Sequence, residues 1–203
     1  MDSATIIKRL DEGNIGVIAT DTLFGLVGRA LDEQAVEKIY TIKKRDPRKP
    51  CIILLGSFEQ LDIFSMVIHE RFQKLLHAIW PGPVTVILRL EEQYHEKFHY
   101  LHRGSGQLTF RFPACEKLQN IILATGPLIA PSANPEGFPP ATSIAEIKNY
   151  FGDDVDMYLD EHDMPYTGKP STIIKIKNHQ IHLVREGVVP FEKLQEQWTQ
   201  LLV

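Results

Sequence analysis

Two stretches of this chain hold residues whose types and spacing could do chemistry. The first is Lys43-Lys44-Arg45-Asp46-Pro47-Arg48-Lys49-Pro50, which sets five cations within seven positions of a chain whose formal net charge is −4. Clustered cations repel one another, so the run is unfavourable unless anions relieve it. Arg offers a planar fork and Lys a point charge, donors that suit phosphate oxygens. The run also reads as a solvated loop complementing the end of a helix, and alone it leaves both readings open. The second stretch is Ala130-Pro131-Ser132-Ala133-Asn134-Pro135-Glu136-Gly137-Phe138-Pro139-Pro140. It follows apolar residues, so Ser132 and Asn134 fall at the carboxyl end of a strand, where open α/β sheets bind ligands. Two positions apart, they project to one side if the segment is extended, and Pro131 and Pro135 restrict the backbone presenting them. An Asn-Pro turn with a capping Ser would give the same residues without a ligand.

The elements that must position these stretches follow from apolar spacing. Ser3 can cap a helix over residues 4–12 with Ile6, Ile7 and Leu10 inward and Gly13-Asn14 at its end. Residues 15–19 read as a buried strand that emerges into Thr20-Asp21-Thr22. Gly25 and Gly28 then read as flexible backbone suited to a ligand approaching the main chain. Asp32 caps a helix over 33–43 with inner stripe Val36, Ile39 and Tyr40; Pro47 and Pro50 keep the basic run beyond it as a loop. Further strands are expected at 51–55, 84–90, 108–112, 128–130, 155–159, 172–176 and 181–184. Helices are expected at 58–64, 69–80, 118–124, 144–151 and 191–202, with Ser143 and Glu146 as a capping box. Residues 91–106 read as an irregular excursion. Strands joined both tightly and by helical crossovers predict a single α/β domain over 1–203 around a mixed sheet.

A chain of 203 residues can bury a proper core, and its composition is that of an ordinary soluble globule. No apolar run approaches the ~20 residues that span a bilayer, and Met1-Asp2-Ser3-Ala4 lacks the order of a signal peptide. Two cysteines, Cys51 and Cys115, form no framework, so a reducing cytoplasm is expected. The acidic balance argues against a surface coated for nucleic acid, so anion chemistry must be local. P-loop and dinucleotide glycine signatures are absent, as are the GxSxG and HExxH patterns. His95, His99 and His102 could share a helical face, but no Cys or carboxylate clearly completes a metal site, and they read as a surface segment.

Taken in order, the motifs resemble a known family. Thr20-Asp21-Thr22-x-x-Gly25-Leu26, Lys43-x-Arg45, Trp80-Pro81-Gly82-Pro83-Val84-Thr85, Arg111-x-Pro113, Ala130-Pro131-Ser132-Ala133-Asn134, Ser171-Thr172 and Arg185-x-Gly187 together look like the YrdC-type threonylcarbamoyl-AMP synthases, the TsaC group. The resemblance covers the first strand to Arg185 and is to the short single-domain form. It implies a twisted mixed parallel and antiparallel sheet with flanking helices and a concave, positively charged cleft. It also implies a reaction of L-threonine, bicarbonate or CO2, and ATP that yields threonylcarbamoyl-adenylate and pyrophosphate for tRNA modification. Magnesium would arrive with the nucleotide. Possible protein partners are the tRNA threonylcarbamoyl transferase machinery, with RNA contact weak or indirect and no membrane.

By the same resemblance, Lys43, Arg45, Ser132 and Asn134 form the catalytic polar set. Arg45, Lys49, Ala130, Ser132, Pro140 and Arg185 would hold ATP. Thr22, Arg111 and Ser171 would hold threonine, Arg111 being suited to its carboxylate. The chain departs from the pattern in Asp21 for a family Glu, Phe24 for a Tyr, Leu54 where some relatives place a His, and Gln107 where some have Thr. Two other readings share the fold: an RNA-binding or ribosome-associated factor, and an enzyme making a different carbamoyl-adenylate.

Overall fold

Period-two burial builds the sheet. Val84, Val86 and Leu88 are buried, as are Leu108 and Phe110 on a neighbouring strand and Ile174 on another. Their alternates Ile87, Thr109 and Ile173 take the opposite face, which the helices leave uncovered enough for a cavity to form. The structure, a computed structural model, describes residues 1–159, 167–177 and 180–201. Its strands are β1 (Gly16–Ile18), β2 (Gly25–Arg29), β3 (Ile52–Leu54), β4 (Val84–Arg89), β5 (Gln107–Arg111), β6 (Leu128–Ile129), β7 (Met157–Leu159), β8 (Thr172–Lys177) and β9 (Gln180–Arg185). Among the described residues they form one sheet in the order β7-β1-β2-β6-β3-β5-β4-β8-β9. The pairs β1–β7, β3–β5 and β4–β8 are parallel and the rest antiparallel, the mixed sheet that the sequence predicts.

The helices are α1 (Ser3–Asp11), α2 (Glu33–Lys43), α3 (Glu70–Ile79), α4 (His99–His102), α5 (Glu116–Thr125), α6 (Ile144–Phe151) and α7 (Phe191–Gln200). Both α1 and α2 pack on β2, α4 packs on β5, and α3 pairs with α7, where Phe72 and Trp198 stack with ring centroids 5.0 Å apart. Under the sheet, Phe64 meets Phe98 and Phe110 at 5.4 and 5.2 Å, and each such buried ring contributes ~2–3 kcal/mol. Asp32 caps α2 as the sequence predicts, accepting from the Gln34 and Ala35 amides.

Several local expectations are corrected. The cap of α1 is Asp2, which accepts from the Thr5 amide; an aspartate there serves the free amides and the positive end of the helix together. Ser143 caps α6 as expected, accepting from the Glu146 amide at 3.2 Å, but the Glu146 carboxylate reaches back one residue further, to the Thr142 amide at 2.8 Å. Residues 91–106 contain a 3-10 turn (Glu92–Tyr94) as well as α4. The closing helix ends at Gln200, and residue 202 of the expected span lies outside the described residues. The largest correction is β2, because Gly25 and Gly28 belong to a strand. A Cβ at Gly28 would stand 3.1 Å from Ile39 Cδ1 and 3.2 Å from Ile15 Cγ2, so this glycine lets α2 close on the sheet.

A second glycine fixes the far edge. A Cβ at Gly187 would lie 2.1 Å from the Pro170 carbonyl oxygen, and the Val188 amide donates to that carbonyl at 2.9 Å. Beside it, Thr172 Oγ1 accepts from the Gly187 and Val189 amides, so the segment after β9 lies against the start of β8. The Gly187→Ala variant should lose at least ~2 kcal/mol of unfolding free energy in urea titration, since backbone must move to admit the methyl group. An unchanged midpoint would show that the contact is slack.

Candidate functional site

Four of the five cations of the basic run, Lys43, Arg45, Arg48 and Lys49, find partners for their side chains within the chain, so much of the run is satisfied without an external anion. Helix α2 ends at Lys43 because Lys44 turns left-handed (φ 51°), and the chain then runs through the basic loop into the start of β3 at Ile52. Lys43 itself is 2% exposed; its Nζ donates to the Ser132 carbonyl at 2.6 Å and to the Asn134 carbonyl. Arg48 pairs with Asp46 at 3.1 Å and Lys49 with Glu136. Arg45 donates from Nε to the Lys49 carbonyl at 3.1 Å and from Nη2 to the Pro50 carbonyl at 2.9 Å. The Tyr40 hydroxyl also donates to the Lys49 carbonyl, at 2.7 Å, so this turn is held from two sides.

Beyond that turn opens a cavity of about 450 Å³. Ile52, Ile87, Thr109 and Ile173 supply its floor from β3, β4, β5 and β8, and Arg45, Arg111 and Arg185 are the charged residues lining it among those described. Of the predicted site residues, the cavity brings together Thr22, Arg45, Arg111, Ala130, Ser132, Pro140, Ser171 and Arg185. Four of these form two hydrogen-bonded pairs, Arg111 with Thr22 and Arg185 with Ser171. Arg111 donates through Nη1 to Thr22 Oγ1; Ser171 Oγ lies 2.8 Å from Thr85 Oγ1; and Arg185 Nη2 donates to the Ser171 carbonyl at 2.9 Å. Burial draws both Arg111 and Arg185 below the ordinary guanidinium value. Arg111 Nε has no hydrogen-bond acceptor among the described residues, which leaves a donor on a guanidinium that is 4% exposed.

Three predicted residues stand elsewhere. Lys43, Lys49 and Asn134 do not line the cavity, and the expected Ser132–Asn134 pair is split. Ser132 bridges to Gly25 as an extension of the sheet, but the Asn134 amide bonds the Ser132 carbonyl at 2.9 Å. That tight turn breaks the two-residue alternation on which the pairing depended. The Asn134 side chain turns away and donates to the Pro135 and Phe138 carbonyls at 3.1 and 2.7 Å, shaping the loop that carries Pro140. Leu54 is fully buried beside Arg111 in register, and Gln107 lines the cavity. His102 of the histidine group holds backbone: Nδ1 accepts from the Gly104 and Gly106 amides, so Nε2 donates to the His95 carbonyl.

Asp21 was absent from the predicted site. It lies 3.4 Å from Arg111 as a charge contact, both groups at most 5% exposed, and it accepts from the Ala114 amide. The signal in the sequence was a carboxylate inside an otherwise neutral polar triplet at a strand exit. Glu136, bound to the basic loop, gave no such signal.

The Sua5/YciO/YrdC family, described as telomere recombination, matches residues 8–187. A Pyrococcus abyssi protein named threonylcarbamoyl-AMP synthase is 33% identical over 186 residues, covering 91% of this chain and 54% of its own length. The chain thus spans about half of that relative. An Idiomarina loihiensis protein of the same name is 32% identical over 173 residues, covering 82% of this chain and 90% of its own length. The crystal structure of P. abyssi Sua5 complexed with L-threonine superposes with TM-score 0.87 at 30% identity, over 96% of this chain and 56% of that one.

Burial first, and the nearby Arg45 second, pull the Lys43 ammonium down to about 8 from 10.5. Between these values the folded chain has released this proton while the unfolded chain still binds it, so Lys43 adds stability as pH rises through that window. Below pH 8 the penalty for burying the charge is present in full. Relative to Lys43→Met, wild type should gain on the order of 1–3 kcal/mol between pH 7 and 10 in denaturant titrations. A difference that stays flat across this range would refute the assignment.

Proposed function

The chain belongs to the Sua5/YciO/YrdC family, and on that premise we propose that it is an L-threonylcarbamoyladenylate synthase, a nucleotidyltransferase. Its substrates in this reading are L-threonine, bicarbonate or CO2, and ATP; its products are threonylcarbamoyl-AMP and pyrophosphate. The observation that carries the reading is one cavity in which polar and cationic residues gather over a mostly apolar floor: the Thr22–Arg111 and Ser171–Arg185 pairs, with Arg45 and Ser132 lining the same space. The names of the relatives and the L-threonine bound to P. abyssi Sua5 support it.

The threonine carboxylate suits the Arg111 guanidinium, already oriented by Asp21 and Thr22. The threonine amine takes up CO2 as a carbamate, losing a proton. A carbamate oxygen then attacks the α-phosphorus of ATP, forming a P–O bond as the bond to the β-phosphate bridge breaks and pyrophosphate leaves. In this reading Arg45, Ser132 and Arg185 meet the nucleotide, with Ala130 and Pro140 flanking it. Chemistry of this kind depends on positioning and on stabilising charge, and needs no covalent nucleophile. No carboxylate lines the cavity among the described residues, which suits magnesium held through the phosphates and water rather than by a protein cage. When bound, it would offset charge on the phosphates. In this reading the product passes to a tRNA threonylcarbamoyl transferase in the cytoplasm, and contact with RNA is indirect.

Pyrophosphate release should require ATP, bicarbonate and L-threonine together, and should fall to background when threonine is omitted. Release without threonine would overturn the substrate assignment. Arg45→Ala should lower turnover by about a hundredfold. Thr22→Ala should weaken threonine binding while leaving ATP affinity in calorimetry nearly unchanged.

A further inference from the structure

Glu136 grips the basic loop at three points. Its amide donates to the Lys43 carbonyl at 2.9 Å, its Oε2 accepts from the Asp46 amide at 2.5 Å, and its Oε1 takes the Lys49 ammonium. These contacts at positions 43, 46 and 49 run along the whole segment. From the opposite direction, Lys43 Nζ holds the Ser132 and Asn134 carbonyls. The two segments so joined carry Arg45 and Pro50 on one side and Ser132 and Pro140 on the other, and all four line the cavity. Lys49 does not: its ammonium, assigned to ATP by resemblance, is occupied by the carboxylate. That pairing, with the Asp46 amide, holds the Glu136 carboxyl below its ordinary range.

We propose that Glu136 is a positioning residue, clamping residues 132–140 onto the basic loop with Lys49 as its counter-ion. The clamp fixes Ser132 and Pro140 relative to Arg45. Lys49 therefore serves the nucleotide through this clamp and not as a phosphate ligand. The inference rests on the adenylation reading for its kinetic consequence, but the clamp itself is a property of the ligand-free chain.

The test uses two single variants and their double. Glu136→Gln keeps an oxygen for the Asp46 amide and removes the charge; Lys49→Met removes the ammonium. Because the Lys49 side chain is 57% exposed, each single variant should raise the KM for ATP only about three- to fivefold. The KM for threonine should hold, and the double variant should be no worse than either single one. A direct phosphate contact predicts the opposite sign: Lys49→Met weakens ATP while Glu136→Gln tightens it by freeing the ammonium, and that outcome overturns the proposal. Additive losses overturn it as well. Hydrogen exchange of the ligand-free protein gives a readout independent of catalysis. Amides of 44–50 and 134–140 should exchange faster together in each variant, and unchanged protection in both segments overturns the clamp. Faster exchange in a protein that releases no pyrophosphate supports the clamp and overturns the adenylation reading alone.

Discussion

A single buried ammonium ties the site together. Lys43 ends α2, lies almost wholly out of water, and gives its protons to the carbonyls of Ser132 and Asn134. Removing an ammonium from water is unfavourable by several kcal/mol unless acceptors replace the lost hydration. Backbone carbonyls just past β6 supply them. The ammonium therefore fixes two loops at once: the chain after β6 cannot drift without exposing a charge to an apolar surround. Arg45 follows two residues on and receives its position from this anchor and from the Lys49 and Pro50 carbonyls.

The cavity floor comes from the sheet and its walls come from loops. Pairing Ile87 with Thr109 and Thr85 with Ile173 puts neighbouring strands in register, so one set of alternates faces the cavity while the other packs the core. Arg111 belongs to the cavity set, and its burial beside Asp21 is tolerable because each supplies the other's charge. A guanidinium held in this way is already oriented before any carboxylate reaches it, which reduces the ordering required on binding.

Elements with strong local signals were legible in the sequence: the Asp32 cap and the Val36, Ile39, Tyr40 stripe gave α2 to its last residue, and β4 and α3 followed from their apolar runs. The glycine-rich β2 was not legible, because its pairing depends on α2 and β6 closing on bare backbone, a tertiary cause invisible to local propensity. Cavity residues carried by ordered motifs, such as Arg111, Ser171 and Arg185, were legible through resemblance and then through their shared location. The direction of the Asn134 side chain was not, since one turn at Asn134 reverses what alternation implies. Glu136 was not either, because its partners lie about ninety residues away, 90 to Asp46 and 87 to Lys49.

Those separations bear on how the chain reaches its fold. The Arg111–Thr22 contact and the Lys43–Ser132 contact each close 89 residues of chain, and the paired strands β1 and β7 lie farther apart still. Contacts of this range must meet the entropy of loop closure before they return any energy, so they form late and slow the search. A partly folded chain can hold α2 or a hairpin, but it cannot hold this cavity. A molecule that binds there therefore selects the fully assembled sheet over every partial one, and its binding energy adds to the stability of the whole chain rather than to one loop.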